Sequence, residues 1–328
     1  MRRLALRTLA LAAWVLVVAL AAPGLAAAQD WPSRPVRLVV PFPPGSISDA
    51  LARLVTDRLA APLGQRFVID NRGGAAGNIG TEHVARSDPD GYTFGLASSG
   101  THAANLALYR NVPYDPERDF VAVSGLVTVP NILVVRPSLE AMTVAAFVAM
   151  ARARPGELTY GSIGNGSSQH LAGTQFEQLA GVKLTHVPYR AVPPIIVDMG
   201  AGRLDASFQL VPNVVEQVRA GTLRALAVAT PARLPALPAV PTMAEAGVPG
   251  FETAGWFGVV APRGTPEAIV QRLAKEIGAV LASTEVRERF AAIGAEPMPL
   301  GPEAFRAFIA AEVPRWREIV RASGAQLD

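Results

Sequence analysis

The sequence predicts an α/β protein with largely parallel sheets, and three observations carry that expectation. Short runs rich in Val, Leu and Ile alternate from Val36 onward with longer segments of helical period. Turns of Gly, Ser and Asn follow the runs and open the helical segments. The 328 residues are 50% apolar and 17% charged, with 29 Gly, 28 Pro and no Cys, which excludes a disordered, collagen-like or disulfide-stapled chain.

Residues 1–28 carry Arg2, Arg3 and Arg7 without an acid, an apolar run from Leu9 to Ala22, and then Pro23-Gly24 and Ala26-Ala27-Ala28. This is the pattern of a secretory signal peptide cut near Ala28, before Gln29. The alternative, an uncleaved anchor, needs about 20 apolar residues, and this run is shorter. Arg2-Arg3 weakly resembles a twin-arginine signal, whereas the strongly apolar stretch favours the general export route.

Strands are expected at Val36–Pro41, Arg66–Asp70, Tyr92–Ser98, Asn131–Arg136, Leu158–Gly161, Lys183–Val187, Asp205–Gln209, Leu223–Ala229 and Trp256–Ala261. Helices are expected at Ser48–Ala61, Asn78–Ser87, Thr143–Arg154, Ser168–Ala180, Pro212–Ala220, Pro266–Ala282, Thr284–Ile293 and Pro302–Ala322. The last is amphipathic, with Phe305, Phe308, Ile309, Val313, Trp316 and Val320 at helical spacing.

A mature chain of this length exceeds one ordinary domain, yet no linker and no internal repeat divides it. The chain is therefore expected to cross between two domains twice, near 129–131 and near 250–254. That gives one domain from 29–130 plus 254–328 and a second from 131–253. The formal charge of +3 comes from the leader: without its three Arg, 27 basic residues face 27 acidic ones. Nucleic acid is excluded as a partner, since phosphate binding needs a concentrated basic patch. The absence of Cys removes disulfides, thiol nucleophiles and cysteine metal sites.

Five turns could carry chemistry. They are Pro43–Asp49 after the first strand, Asn71–Asn78 after the second, Ser98–His102 after the third, Gly161–His170 after the fifth, and Pro188-Tyr189-Arg190 after the sixth. In a parallel sheet such turns lie at the carboxyl edge, where glycine lets backbone approach a ligand and helix-start N–H groups meet an anion. Convergence of several would make a cleft for a small carboxylate.

Enzyme motifs are not found. The chain has no G-x-x-x-x-G-K-[ST], no G-x-G-x-x-G spacing at Gly73–Gly80 and no G-x-S-x-G elbow. Of the histidines, His83 reads as a solvated helix residue and His186 as a buried, hydrogen-bonded one, while His102 and His170 stand beside hydroxyl-rich turns. None has metal-ligand spacing. Val112–Pro116, with Glu117 and Asp119, reads as a surface turn.

These residues in order resemble the Bug family of substrate-binding proteins of tripartite tricarboxylate transporters. The likeness runs through Trp31–Gly45, Asn71-Arg72 with Gly77–Gly80, Asp88–Thr93, Pro113–Pro116 with Asp119-Phe120, and Gly164–Ser168. It continues through His186–Tyr189, Gly221–Ala227, and Pro241-Thr242 with Glu245–Gly247. The resemblance implies a two-domain, Venus-flytrap protein of the periplasm, without enzymatic activity or cofactor. Such a protein closes as a monomer on a small organic anion and presents it to membrane permease subunits. A ligand-sensing protein for a signalling partner would use the same fold, and an exported enzyme is the reading from another class. The ligand contacts implied are Gly45, Ser46 and Ser48 in the first turn and Ser98 and Thr101 in the third. Asn131 at the crossing and Asn165, Gly166, Ser168, His170 and Tyr189 of the second domain complete the set.

The chain departs from the family pattern at Ser46-Ile47-Ser48, at Tyr189–Val192, and at Leu204–Leu210, where Gln209 and Leu210 replace an acid and an amide. A neutral Gln209 beside the ligand favours a dicarboxylate or aromatic carboxylate over an amino acid, whose ammonium would lack a counter-charge. Thr101 is expected to donate its hydroxyl directly to the ligand carboxylate.

Overall fold

The computed structural model describes residues 31–326; the leader and its cleavage point lie outside them. β1 (Val36–Val40), α1 (Ile47–Leu63), β2 (Phe67–Asn71), α2 (Asn78–Ala85) and β3 (Thr93–Ser98) come first. A π-helical turn (Gly100–Ala104) then runs into the short α3 (Asn105–Leu108). Next is β4 (Phe120–Val135), a strand of 16 residues, followed by α4 (Val144–Ala153), β5 (Thr159–Ser162), α5 (Ser168–Ala180), β6 (Thr185–Pro188) and α6 (Val192–Gly200). β7 (Ala206–Leu210), α7 (Val215–Arg219), β8 (Arg224–Val228) and β9 (Ala254–Pro262) lead to α8 (Glu267–Ala282), α9 (Thr284–Ala292), β10 (Glu296–Pro297) and α10 (Pro302–Ser323).

The strands form one sheet in the order β2-β1-β3-β9-β4-β7-β5-β6, with β8 and β10 also on β4. The expectation of largely parallel sheets is corrected to a mixed sheet. Among the named strands, parallel pairing is confined to β2-β1-β3 and β7-β5-β6, with one isolated parallel bridge between Val228 and Thr242. Every pair made by β4 or β9 is antiparallel. The reason is topological: β4 carries the chain out of one half of the sheet and β9 carries it back, so the two must run in opposite directions.

That traffic fixes where the turns lie. β4 spends Phe120–Pro130 against β9 and Asn131–Val135 against β7 and β8. β3 and β4 both oppose β9, so β1–β3 share the direction of β4 and end at the seam it crosses. β7 opposes β4 with Leu210 level with Asn131, so β5–β7 also end at the seam, from the other side. The carboxyl edges of both parallel groups therefore face each other across the Pro130–Asn131 junction. This is the edge at which open α/β sheets hold ligands.

Local chemistry supports the same arrangement. Ser46 caps α1 by accepting from Asp49 N, Ser167 caps α5 by accepting from His170 N, and both helices end at a left-handed glycine, Gly64 and Gly181. One core lies between β1, α1 and α8, with Leu38, Leu51, Val55, Leu273 and Ile277, and another gathers Phe147, Phe176, Phe208 and Phe251. α10 uses Phe305 and Ile309 against Trp256 of one half. Its later turns, Val313, Trp316 and Val320, pack with Ala103, Leu108 and Leu171, so it reaches both sides of the seam.

Other expectations change in detail. Phe120–Pro130 belongs to β4 although Gly125 and Pro130 break its sequence signal, and α6 forms although Pro193-Pro194 open it, since proline is tolerated in a first helical turn. The helix expected at Pro212–Ala220 shrinks to Val215–Arg219. His83 is half-buried rather than solvated, with Nε2 sealed and unpartnered. Tyr114 is buried rather than part of a surface turn: its hydroxyl donates to Asn78 Oδ1 (2.8 Å) or to Thr101 O (2.7 Å).

Candidate functional site

All five expected turns join a strand to a helix, and all end at the seam. In the first, Gly45 N donates to Asp49 Oδ2 (3.0 Å), while Ser46 Oγ and Ser48 Oγ lie 2.9 Å apart. Asp49 is almost fully buried and organises this turn. Burial opposes its charge, but hydrogen bonds from Arg53, Gly45 N and Asn71 outweigh that and hold its carboxyl below the ordinary value. The short hydroxyls therefore sit at the start of α1 above a carboxylate already neutralised by its own neighbours.

In the third turn, Ser98 and Thr101 bond to each other: Ser98 N donates to Thr101 Oγ1 (3.2 Å) and Thr101 N to Ser98 Oγ (3.1 Å). Thr101 Oγ1 also lies 2.9 Å from His102 Nδ1 and has no exposed surface. Its hydroxyl is engaged inside the turn, by Ser98 and His102. Gly77 of the second turn packs here: a Cβ on it would stand 2.7 Å from Thr101 Cγ2, at a positive φ of 93°.

Across the seam, Asn165 is exposed and Ser168 half-buried at the start of α5, with Ser168 Oγ donating to Gln169 Oε1 (3.2 Å). Gly166 N donates to His170 Nδ1 (3.1 Å), and the His170 ring stacks on His186 with centroids 4.1 Å apart. Gly166 has φ of 78°, and a Cβ there would collide with Leu108 Cδ1, so this turn touches the other half directly. Tyr189 donates its hydroxyl to Asp198 Oδ2 (2.7 Å); burial first, and then that carboxylate, push the phenol up to about 12.

At the centre stands Asn131. It is fully buried, its backbone N–H donates to Thr253 O (2.9 Å) and its carbonyl accepts from Ala229 N (2.8 Å). Both polar atoms of its side-chain amide are sealed without a partner, and so is Thr253 Oγ1. Ser99 is also at the seam, its Oγ 3.8 Å from where a Cβ on Gly255 would stand. Buried polar groups are almost always hydrogen-bonded, so two unpartnered side chains at this junction are exceptions, as are His83 Nε2, His102 Nε2 and Gln175 Oε1 elsewhere.

Gln209 is fully buried beside them in β7, but its Nε2 donates to Ser207 Oγ (2.9 Å) and its Oε1 accepts from Asn213 Nδ2 (3.3 Å). Both ends of that amide are engaged within the protein. Sequence reasoning missed Asp49, Ser99 and Thr253. Ser99 and Asp49 were within quoted turns, whereas Thr253 carries no local signal, because only the pairing of β4 with the segment entering β9 sets it beside Asn131.

The family described as tripartite tricarboxylate transporter family receptor (TctC) matches residues 51–325. The chain belongs to this receptor family. It is accordingly a periplasmic solute-binding receptor and not an enzyme. Among the family's curated members, BugT of Bordetella pertussis is 41% identical over 317 residues, covering 95% of this chain and 97% of BugT. An R. palustris protein solved with adipate superposes at a TM-score of 0.84 with 44% identity, over 90% of this chain and all of that one. MatC from Rhodopseudomonas palustris, solved with bound malate, gives a TM-score of 0.79 at 33% identity, covering 88% of this receptor and 100% of MatC.

Proposed function

We propose that this receptor is a two-lobed clamp that captures a small, non-amino organic carboxylate, a dicarboxylate or an aromatic acid, at the seam. It then hands the acid to the permease subunits of a tripartite tricarboxylate transporter. Residues 29–130 with 254–328 form one lobe and 131–253 the other, after export and removal of 1–28. One observation carries the reading: the unpartnered Asn131 amide at the seam toward which the turns of both halves point. An oxygen-rich ligand would complete it, and the relatives solved with adipate and malate are occupied by molecules of that chemistry.

The anion would be met by neutral donors at the starts of α1 and α5, by Asn165, Ser168 and Ser99, and by Asn131 with Thr253. Thr101 and Ser98 would shape the third turn, and Gln209 would brace Ser207 and Asn213. Asp49 is already taken up by Arg53 and Asn71, so an ammonium placed beside the first turn would find no free acid.

Titration calorimetry of the purified protein with adipate, malate and the matched pairs succinate/aspartate and glutarate/glutamate tests the proposal. Each acid should bind more tightly than its amino partner, and the radius of gyration from small-angle scattering should shrink at saturation as the clamp closes. Equal or tighter binding of aspartate or glutamate would overturn the selectivity, and an unchanged radius would overturn the clamp.

A further inference from the structure

The turn between β5 and α5 is held from both ends by imidazoles. His170 Nδ1 accepts from Gly166 N at 3.1 Å, and His186 Nε2 lies 2.6 Å from Ser162 Oγ. That hydroxyl also bridges Gly164, accepting from its N–H (3.1 Å) and 3.0 Å from its carbonyl, to which Ser167 Oγ donates as well (2.8 Å). The two rings stack, inclined at 31°, with Tyr160 beside His186 at 5.0 Å. Gly164 and Gly166 both have positive φ, of 117° and 78°, so these two residues bring no side chain to the turn and are held through their backbone groups, Gly164 by Ser162 and Ser167 and Gly166 by His170.

We propose that His170 is a positioning residue of the receptor site: its neutral imidazole, acting as acceptor at Nδ1, holds the Gly164–Ser168 turn in the shape that meets a carboxylate, and a proton on Nδ1 releases the turn and weakens capture. This rests on the carboxylate reading above. A backbone N–H can be satisfied by Nδ1 only while that nitrogen is unprotonated, which assigns the neutral ring its proton at Nε2.

The surroundings favour that neutral form. Burial lowers the pKa of His170, and burial together with the neighbouring His170 takes His186 down to about 4. From β5, Tyr160 faces the helix and its hydroxyl reaches His170 O (3.4 Å). From β6 only His186 is titratable, and beyond it Tyr189 is bound to Asp198, which also pairs with Arg203, while Arg190 is exposed. On α5 itself, Glu177 accepts from Leu184 N (2.8 Å). α10 meets α5 through Val313, Trp316 and Val320 around Leu171, and its Glu312 is held by two indoles and Arg315. No carboxylate is therefore in contact with either ring to favour a charged imidazole among the described residues.

Long-range ¹⁵N–¹H spectra of histidine-labelled protein, which has four histidines, read the tautomer directly. His170 should show an unprotonated Nδ1 at pH 7, and the Gly166 amide should shift in step with the His170 titration, below pH 6.5. In parallel, His170→Asn keeps an acceptor near Nδ1 without titrating, and His170→Leu removes it. With adipate as probe, His170→Asn should bind within about twofold of the parent at pH 7.5 and His170→Leu about tenfold more weakly. On acidification through the His170 titration that those spectra define, the parent should lose affinity relative to His170→Asn, the ligand's own protonation being common to both. A protonated Nδ1 at pH 7, a Gly166 amide indifferent to His170, or parental affinity in His170→Leu overturns the proposal. If adipate binds none of the three proteins, the carboxylate reading fails for that probe, and the tautomer and the Gly166 shift still decide the role of His170.

Discussion

Replacing Asn131 with Leu removes an amide and keeps the branched outline of the side chain. In most sites the loss of a buried polar residue destabilises, because a partner is orphaned. Here neither amide atom has a partner in the protein, so the unliganded state loses only a desolvated group. A buried unsatisfied polar group costs about 1–3 kcal/mol, and the unliganded variant should therefore be more stable by that order. At roughly 2–4 °C per kcal/mol for a chain of a few hundred residues, its Tm should rise by several degrees. Binding should move the other way: a hydrogen bond to a charged oxygen contributes about 1.5–3 kcal/mol, a loss of roughly 10- to 150-fold in Kd. Differential scanning calorimetry with and without adipate, with titration calorimetry alongside, reads both. Opposite signs are the signature of a site residue held in a strained, waiting state. A variant that melts lower than its parent and binds adipate unchanged would refute the assignment of Asn131 to the ligand.

Burial holds His102 at a pKa of about 3 and His186 at about 4, the latter helped by His170, whereas both titrate near 6.5 when unfolded. Between pH 6.5 and about 4 the unfolded chain thus binds protons that the folded chain refuses, so stability falls as pH falls, by up to about 1.4 kcal/mol per unit for each histidine. Urea midpoints across that window should show it, and a flat profile would count against buried neutral rings. Glu312 Oε2 accepts from Trp256 Nε1 (2.9 Å) and Trp316 Nε1 (2.8 Å), so Glu312→Leu should cost about 1–3 kcal/mol for each orphaned indole and Glu312→Gln clearly less. Unfolding followed by tryptophan fluorescence would separate the two, and equal losses would sink the argument. A Cβ on Gly258 would stand 2.6 Å from Phe305 Cε1, so Gly258→Ala should push α10 off the sheet at a cost of about 1–3 kcal/mol, visible as a lowered Tm; an unchanged Tm would mean the helix yields freely.

Much of the fold was legible because its signals are local. The alternation of short apolar runs with segments of helical period placed most elements within a few residues. The turns were legible for the same reason, since glycine and hydroxyl residues between a strand and a helix declare themselves in sequence. β4 was legible only from Asn131 onward, because Gly125 and Pro130 interrupt its pattern and its pairing with β9 is what makes Phe120–Pro130 a strand. α6 was hidden by two prolines that its first turn accommodates.

The sequence by itself determined the α/β class, the five strand-to-helix turns and the residue types that can meet an anion without a metal or a strong base. What only the tertiary structure decided is which of those residues remain free. Thr101 and Gln209 carry suitable groups, yet partners one and two residues away in sequence, with Ser98 and Asn213 a little further off, already occupy them. Asn131 has its amide unpartnered because β4 changes neighbours at that residue, from β9 to β7, and neither side supplies a side-chain partner. Hydrogen-bond satisfaction is a property of positions in space, fixed when distant strands pair, and so it is not written in the order of residues along the chain.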